Sequence, residues 1–239
     1  MINRGAHAAG ESRTPASMLA QTALFSILPP PDVQELAKAT RLRNYRRGEV
    51  IFRKDDAGYT LYLIVSGAVK IAVSSGEGEE MILTIMKAGH FFGELALFDE
   101  RPRSADAEAL EATEVLTLQR EDFLAVVERR PRVATLLLKV LSERIRSTDE
   151  ALGDAAFLDI PSRLAKRLLD LAAEHGEPTP QGTRITLRLT QQDLASMIGA
   201  RRENVNRALA YYQNRGWLSK VSGYFTLLDE EALRARSVY

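Results

Sequence analysis

A stretch near the middle of the chain combines residue types that could bind a small anionic molecule. Residues 91–106 read FFGELALFDERPRSAD, with Gly93 followed by Glu94 and Arg103 followed by Ser104. A glycine lets backbone N–H groups approach a ligand, and an arginine beside a hydroxyl can hold an anion. The carboxylate of Glu94 cannot bind that same anion. We therefore predict a ligand that carries both a negative group and a hydroxyl.

A second stretch, TQQDLASMIGARRENVNRALA, has the spacing of two helices that cross at a steep angle. Thr190 is suited to cap the first helix and Gly199 to close it. The small Ala195 allows the helices to approach each other, and Val205 anchors the second helix. This pattern predicts a helix-turn-helix; the alternative is a plain packing unit with a solvated charged face.

The polar residues of this motif are of the types that read DNA. Arginine can donate two hydrogen bonds to guanine, glutamate can accept one from cytosine, and asparagine can read adenine or bind phosphate. The residues that we predict to contact DNA are Thr190, Gln191, Arg201, Arg202, Glu203, Asn204, Asn206 and Arg207. The segment GWLSKVSGYFTLL that follows predicts a two-stranded wing that turns at Ser222 and Gly223.

The composition allows two domains and excludes several chemistries. The chain has 239 residues, 45% of them hydrophobic, and a formal net charge of zero. The part from Pro161 onward holds 12 Lys and Arg against 8 Asp and Glu, so the C-terminal third is mildly basic. The chain has no cysteine, which excludes disulfides, thiolate iron–sulfur clusters and cysteine-based zinc sites. The spacing of its nucleophiles, bases and histidines predicts neither catalysis nor metal binding.

The distribution of apolar residues argues against a membrane protein. No apolar run approaches the ~18 residues of a membrane span, and the N-terminus lacks the apolar core of a signal peptide. These features predict a cytoplasmic protein that has no membrane contact. Residues 1–18 are predicted to form a disordered tail.

The rest of the chain divides into a β-rich part, a long helix and a further helical part. Residues 42–118 contain short β-rich runs separated by glycine turns, which is typical of a compact all-β sandwich or barrel. A long helix is predicted to begin after Pro131 and to run to about Phe157. Asp159 as a cap and Pro161 in the first turn then start another helix, so we place a domain boundary there.

The long helix carries apolar side chains on more than one face. Residues at alternating spacings of four and three predict a seam with a heptad period; they are Leu137, Leu141, Arg144, Thr148, Ala151 and Ala155. The apolar residues that widen this surface are Leu136, Leu138, Val140, Ile145 and Leu152. A helix with two apolar faces at the edge of a domain predicts a homodimer. The alternative is a helix that packs twice within one monomer.

From about Met18 to Leu228, the chain resembles the cyclic-AMP receptor protein / Crp-Fnr family of bacterial transcription regulators. The resemblance implies an α+β fold. Its parts are an N-terminal cyclic-nucleotide-binding β-roll (a double-stranded β-helix or jelly roll), a long dimerisation helix and a C-terminal winged helix-turn-helix. The implied limits are a tail at 1–18, the β-roll domain at 19–130, the dimerisation helix at 131–157, a hinge at 158–160 and the DNA-binding domain at 161–239.

The resemblance also implies a role for each residue of the first stretch. In the family, a glutamate binds the ribose 2′-hydroxyl, and an arginine followed by a serine holds the cyclic phosphate; Glu94, Arg103 and Ser104 occupy these places. A threonine and the polar residue after it read adenine from the long helix, the second acting from the other subunit, and here they are Thr148 and Asp149. The predicted ligand-binding set is Gly93, Glu94, Leu95, Arg103, Ser104, Arg144, Thr148 and Asp149.

The chain departs from the family pattern at two positions. Asp149 stands where a serine or asparagine is usual, so it can accept a hydrogen bond from adenine or equally from guanine. Arg201 replaces the small polar residue that often caps the recognition helix. Arg202, Glu203 and Arg207 match the family set that is associated with TGTGA-like half-sites.

The charges of the ligand site leave alternatives open. Arg103 either binds the ligand phosphate or pairs with Glu94 in an empty pocket, as in relatives that no longer bind a nucleotide. Arg144 is either a buried interhelical charge or a group near the ligand phosphate. Thr148 reads the base, sets the register of the helix seam, or does both.

Together these features predict a homodimeric DNA-binding regulator, and not an enzyme, with a cyclic nucleotide as its allosteric ligand and cAMP as the first candidate. The implied partners are double-stranded DNA, a second copy of the chain and RNA polymerase. One alternative is a regulator that senses cGMP or a cyclic dinucleotide. The others are a ligand-independent dimeric DNA-binding protein with a structural β-roll and, against the helix-turn-helix, a regulatory subunit of an enzyme.

Overall fold

A computed structural model describes residues 14–238 of the 239-residue chain. The helices are α1 (Pro15–Ala20), α2 (Pro30–Ala39), α3 (Leu95–Asp99), α4 (Arg120–Arg129), α5 (Pro131–Phe157), α6 (Ile160–His175), α7 (Gln191–Ile198), α8 (Arg202–Asn214) and α9 (Glu230–Arg236). The strands are β1 (Arg41–Tyr45), β2 (Val50–Phe52), β3 (Thr60–Ser66), β4 (Ala68–Ser74), β5 (Glu80–Lys87), β6 (Phe91–Phe92), β7 (Asp106–Ala109), β8 (Thr113–Gln119), β9 (Gly176–Thr179), β10 (Gly182–Ile185), β11 (Leu218–Val221) and β12 (Tyr224–Leu227).

The N-terminal domain is a β-roll of two four-stranded antiparallel sheets. Their strand orders are β1-β8-β3-β6 and β2-β7-β4-β5. Because side chains alternate along a strand, Ile64 of β3 joins Val69 and Val115 in one core. Leu61 and Leu63 of the same strand point the other way and pack with residues of α1, α2, α4 and α5. The predicted β-roll is confirmed.

The N-terminal tail is structured over part of the range predicted to be disordered. Helix α1 is capped by Thr14, whose hydroxyl accepts a hydrogen bond from the backbone N–H of Ser17. Met18 is buried in the core. The prediction of disorder is therefore wrong for residues 15–18, while residues 1–13 lie outside the described residues. A threonine followed by a proline is a helix start, and this signal was present in the sequence.

Helix α5 occupies the range predicted for the long helix and divides its apolar side chains between two surfaces. Leu137 is buried against the β-roll domain and Leu141 packs partly against it. Leu137 and Leu141 therefore contact the β-roll domain and are not part of the exposed seam that the heptad pattern predicts. Leu138, Ile145 and Leu152 are 64%, 62% and 71% exposed and recur every seven residues. We call these three residues the α5 stripe.

The C-terminal domain is a winged helix-turn-helix, as predicted. Gly199 ends α7 in the left-handed conformation, with φ of 60°. Val205 is fully buried and anchors α8 against the domain core. Strands β11 and β12 pair antiparallel as the wing. They are joined by Ser222 and Gly223, which both have positive φ, as a two-residue hairpin turn requires.

The link between α5 and α6 is tied by ion pairs on both of its sides. The carboxylate of Asp154 on α5 lies 2.6 Å from Nζ of Lys166 on α6. Asp159 caps α6, and Nη2 of Arg236 on α9 donates to its two carboxylate oxygens at 3.0 and 2.7 Å. The hinge predicted at 158–160 is therefore connected both to the long helix and to the last helix.

The C-terminal domain packs against the outer face of the β4–β5 sheet. Ala72 and Ile82 of that sheet belong to the same hydrophobic cluster as Leu194 of α7. At the edge of this contact, Nζ of Lys87 donates a hydrogen bond to the carbonyl of Glu174. One hydrophobic cluster thus spans both domains, and the two domains share an interface.

Among residues 14–238, no helix is long and apolar enough to cross a membrane. The same part of the chain holds no group of three or more acidic, histidine or cysteine side chains placed to bind a metal ion. The predicted cytoplasmic location stays a prediction.

A buried histidine at the end of α6 gives the C-terminal domain a pH dependence. The pKa of His175 is lowered to about 4, mainly because the side chain is buried and also because of the positive charges of Lys87, His90 and Arg167. Its Nε2 has no hydrogen-bond partner among the described residues. The exposed carboxylate of Glu174, 3.6 Å away, does not offset the burial. An unfolded histidine titrates near pH 6.5. Between about pH 6.5 and about pH 4, the unfolded state therefore binds a proton at His175 and the folded state does not.

We expect the free energy of unfolding of this domain to fall by at most about 3 kcal/mol as the pH drops from about 6.5 to about 4. Trp217, the only tryptophan of the chain, lies in this domain and its fluorescence reports urea-induced unfolding. His175→Gln should remove much of this pH dependence. The same pH dependence in the wild type and the variant would contradict a buried neutral histidine.

Candidate ligand and DNA sites

The glycine of the first stretch is required by the close approach of an arginine. Gly93 follows strand β6 and has φ of 81°, a conformation that favours glycine. A Cβ atom on Gly93 would lie 2.7 Å from Nη1 of Arg103 and 3.1 Å from the carbonyl oxygen of Thr60. A larger residue would therefore push the guanidinium away from the backbone that holds it.

Arg103 is the buried cation of this site, with an exposed fraction of 4%. Its Nη1 donates to the carbonyl of Gly93 at 2.6 Å, and its Nη2 donates to the carbonyl of Thr60 at 2.8 Å. The guanidinium carbon lies 4.4 Å from the ring centroid of Phe52 and 5.7 Å from that of Tyr62. Burial lowers the pKa of Arg103, and the two rings offset part of this cost through cation–π attraction. The guanidinium is thus fixed in plane and position.

Glu94 is the buried carboxylate of the site, with an exposed fraction of 3%. Its Oε1 accepts a hydrogen bond from Nη1 of Arg144 at 2.7 Å. Nη2 of Arg144 donates to the carbonyl of Phe91 at 2.6 Å, and the guanidinium lies 4.9 Å from the ring centroid of Phe91. Glu94 therefore pairs with Arg144 of the long helix, and not with Arg103 as one alternative had it.

Two buried polar atoms of the site lack a hydrogen-bond partner among the described residues. They are Nε of Arg103, which is a donor, and Oε2 of Glu94, which is an acceptor. A buried polar group without a partner costs about 1–3 kcal/mol, and most such groups in folded proteins are paired. The site therefore suits a ligand that accepts a hydrogen bond from Arg103 and donates one to Glu94. A phosphate oxygen and a sugar hydroxyl meet these two demands.

The other predicted ligand residues are more exposed. Ser104 lies at the surface, and Leu95 is the exposed first residue of α3. Thr148 and Asp149 are exposed on α5, about one turn beyond Arg144. The hydroxyl of Thr148 donates to the carbonyl of Arg144 at 2.9 Å. The structure thus brings Arg144 to the buried carboxylate and places the two predicted base-reading residues on an exposed part of the helix.

The residues that orient Arg103 did not stand out in the sequence. Phe52, Thr60 and Tyr62 lie on strands β2 and β3, far from the first stretch along the chain. The alternation of side chains in these strands indicates that an aromatic side chain points inward. Alternation does not say which inward side chain meets which ligand residue.

Gly58 offers a test of how closely the position of Arg103 is controlled. A Cβ atom on Gly58 would lie 2.6 Å from Cβ of Ala96 and 2.9 Å from Nε of Arg103. We expect Gly58→Ala to displace the guanidinium and to weaken cAMP binding about tenfold or more, or about 1.4 kcal/mol. Calorimetric titration measures this. Gly76→Ala is the control, because no atom of residues 14–238 beyond its chain neighbours lies within 4 Å of that Cβ; equal affinities in the two variants would contradict the expected displacement.

The N-terminal half of α8 displays the residues that were predicted to read DNA. Arg201, Arg202 and Glu203 are exposed, and Arg201 precedes the helix without a side-chain cap hydrogen bond. Arg207 is exposed and donates a hydrogen bond to Oδ1 of Asn204. The exposed face of α8 therefore offers both donors and a carboxylate acceptor to a groove.

The remaining predicted DNA residues border α7 and α8. The hydroxyl of Thr190 accepts from the backbone N–H of Asp193 at 3.0 Å and donates to its carboxylate at 2.8 Å. This capping box positions the start of α7 and occupies the Thr190 hydroxyl. Gln191 and Asn206 are half-buried.

Two family models match the chain in the order of its domains. The model of the cyclic nucleotide-binding domain matches residues 42–130. The model of the Crp-like helix-turn-helix domain matches residues 162–236. The first match includes the buried residues Arg103 and Glu94, and the second includes the exposed face of α8.

Relatives of known name match nearly the whole chain. The CRP-like cAMP-activated global transcriptional regulator of Mycobacterium tuberculosis is 36% identical over 220 residues, which are 92% of this chain and 98% of that protein. The cyclic AMP receptor protein of Thermus thermophilus is 37% identical over 78% of this chain and 83% of its own length. The solved structure of the c-di-GMP-responsive global regulator of Xanthomonas campestris has a TM-score of 0.73 at 27% identity, covering 83% of this chain and 99% of that chain.

Proposed function

The chain belongs to the Crp/Fnr family of transcription regulators, and from this premise we propose that it is a homodimer whose DNA binding responds to cAMP. Members of this family are DNA-binding regulators and not enzymes. The observation that carries the proposal is the pair of unpartnered buried atoms, Nε of Arg103 and Oε2 of Glu94. A 3′,5′-cyclic nucleotide supplies an acceptor in its phosphate and a donor in its ribose 2′-hydroxyl.

The proposal also specifies which base the cyclic nucleotide carries. Two relatives that match the chain at 36% and 37% identity are named for cAMP, which supports adenine. Asp149 would accept a hydrogen bond from the exocyclic amine of adenine, but N1 and N2 of guanine could donate to it as well. A cyclic dinucleotide is the second candidate, because a structural neighbour is named for its response to c-di-GMP.

The α5 stripe supports the proposed dimer. Three large apolar side chains, Leu138, Ile145 and Leu152, are exposed on one face of a 27-residue helix. A spacing of seven residues is that of a two-stranded coiled coil, and contiguous exposed apolar surface marks interaction sites. Each such side chain contributes about 1.5–3 kcal/mol when it is fully buried. A second copy of the same helix presents the matching surface.

In the proposed mechanism, the ligand acts on α5 through Arg144. Oε2 of Glu94 accepts a hydrogen bond from the ligand hydroxyl, while Oε1 keeps its hydrogen bond from Arg144. A movement of α5 would also move α6, because Asp154 of α5 forms an ion pair with Lys166 of α6. In helix-turn-helix dimers the two recognition helices enter successive major-groove faces about 34 Å apart. The ligand favours this spacing only to the extent that it binds that state more tightly.

In the proposed DNA complex, α8 reads a TGTGA-like half-site in the major groove. Arg202 and Arg207 would donate to guanine, and Glu203 would accept from cytosine. RNA polymerase is the proposed partner of the dimer at a promoter.

One titration tests the proposed function. Affinity for a palindromic duplex with TGTGA half-sites is measured at fixed salt, because phosphate contacts make it salt-dependent, while cAMP, cGMP or c-di-GMP is added. We expect cAMP to change the affinity at lower concentrations than the other two. A protein that binds the duplex equally with and without all three would be the ligand-independent alternative.

Replacing Arg202 by alanine should relax base preference. We expect a loss of about 1–3 kcal/mol of binding free energy at each half-site of the preferred duplex and a smaller loss when the contacted base pair is changed. Competition binding with singly substituted duplexes measures both. Arg215→Ala is the control, because Arg215 caps the far end of α8 and lies over the ring of Tyr211. A base preference that is identical in the wild type and Arg202→Ala would exclude Arg202 as a base reader.

A further inference from the structure

Four cationic side chains line an open cleft of about 430 Å³ between the β-roll and the winged helix. They are Arg47 in the turn between β1 and β2, Arg188 before α7, Arg202 at the start of α8 and Lys220 on the wing strand β11. We call these residues the cationic cleft. Among the described residues that line it, none is acidic. The cleft therefore concentrates positive charge at the boundary of two domains.

Three of the four cations, Arg47, Arg188 and Lys220, are held in place by contacts within the protein. Nη2 of Arg47 donates to the carbonyl of Arg188 at 3.2 Å, which joins the β-roll to the segment that leads into α7. The side chain of Arg188 packs on the wing turn, where a Cβ atom on Gly223 would lie 3.0 Å from its Cγ and Nε. Nζ of Lys220 lies 4.8 Å from the ring centroid of Phe225. These contacts orient the side chains and leave their charges uncompensated by the cleft itself.

The nearest carboxylate on α7 is already engaged. Oδ2 of Asp193 accepts hydrogen bonds from the backbone N–H and the hydroxyl of Thr190 at 2.7 and 2.8 Å. The N-terminal end of α7, with Gln191, also lines the cleft. A helix N-terminus adds positive potential to the cluster of cations. An anion with several oxygens would relieve the repulsion among the four side chains.

We propose that Arg47, Arg188 and Lys220 of the cationic cleft bind phosphate beside the base-reading Arg202, so that Arg47 extends the DNA contact from the winged helix onto the β-roll. The proposal rests on the proposed function, since Thr190, Gln191 and Arg202 of the predicted DNA surface line the same cleft. A DNA strand whose bases contact α8 would place its phosphates next to these residues. Arg47 adds a cation from outside the helix-turn-helix. A free polyphosphate has the same chemistry and is the other source of such an anion.

Arg47→Gln tests the site against the matched variant Arg46→Gln, which removes the neighbouring exposed charge outside the cleft. DNA affinity is measured over a range of salt concentrations on a TGTGA-type palindrome and on an unrelated duplex. We expect Arg47→Gln to weaken binding to both duplexes by a similar factor. It should also make the slope of log affinity against log salt shallower by about 1.8, because each of the two subunits of the proposed dimer loses one phosphate contact and each contact contributes about 0.9. Arg46→Gln should leave the slope unchanged.

A second measurement separates DNA from a free anion. Tripolyphosphate is titrated into the protein without DNA by calorimetry. If the source is a free anion, the wild type binds tripolyphosphate, Arg47→Gln binds it at least about tenfold more weakly, and the DNA slope is the same for both. Equal behaviour of Arg47→Gln and Arg46→Gln in both assays would overturn the proposal. A wild type that binds no duplex would count against the proposed function. The tripolyphosphate titration would then be the test of whether the cationic cleft binds phosphate.

Discussion

Replacing Arg103 by alanine is expected to weaken cAMP binding at least about 30-fold. The wild-type guanidinium is buried, is held by two backbone carbonyls, and keeps an unpartnered Nε for an anionic oxygen. Truncating one partner of a buried charged hydrogen bond costs about 2–5 kcal/mol, which corresponds to about 30-fold to several thousand-fold in affinity. Calorimetric titration with cAMP measures the loss.

The control for this variant is Arg101→Ala, which removes an exposed arginine two positions earlier. Removing Arg103 also leaves the carbonyls of Gly93 and Thr60 without their donor, so thermal unfolding must show that the variant is folded at the assay temperature. Arg103→Lys provides a second test, since it keeps the charge but loses the planar fork. Unchanged cAMP affinity in a folded Arg103→Ala variant would remove Arg103 from the ligand site.

Replacing Ile145 by aspartate is expected to convert the proposed dimer into a monomer at micromolar concentration. Ile145 is the middle residue of the α5 stripe and is 62% exposed within the chain, so the change should leave the fold of the monomer intact. In a dimer with two-fold symmetry it would bury two carboxylates near each other. An uncompensated buried charge costs about 3–5 kcal/mol, and the dissociation constant should rise by at least about 100-fold.

Sedimentation velocity across a concentration series measures this change. Ser147→Asp is the matched control, because it adds the same charge at an exposed position on the opposite side of the helix. DNA affinity should fall in Ile145→Asp, since the second recognition helix is no longer joined to the first. A dimer of unchanged strength in Ile145→Asp would place the interface elsewhere.

The elements of the fold were predictable where a local signal marks their ends. Pro131 opens the long helix, and Asp159 with Pro161 opens the next one. The glycine that closes α7 and the spacing to Val205 define the helix-turn-helix. These signals are local because caps and turns depend on a few neighbouring residues.

The contacts of the ligand site were not predictable in the same way. Arg103 meets Phe52 and Tyr62, and Glu94 meets Arg144, only because the β-roll and α5 bring distant segments together. A heptad pattern gives the spacing of apolar residues but not the surface that each covers. The seam was therefore wrongly assigned where the β-roll covers it, and the exposed apolar residues lie along the α5 stripe instead.

The hydrogen bond between Glu94 and Arg144 has a consequence for how ligands bind to a dimer. This hydrogen bond joins the candidate ligand site of each subunit to helix α5. In the proposed dimer, α5 contacts the same helix of the second copy. A ligand that moves one α5 would then also shift Arg144 of the second copy, and energetic linkage between two sites is reciprocal. The binding curve of the dimer would therefore show cooperativity, with a Hill coefficient different from one. Ile145→Asp should return it to the simple hyperbola of independent sites.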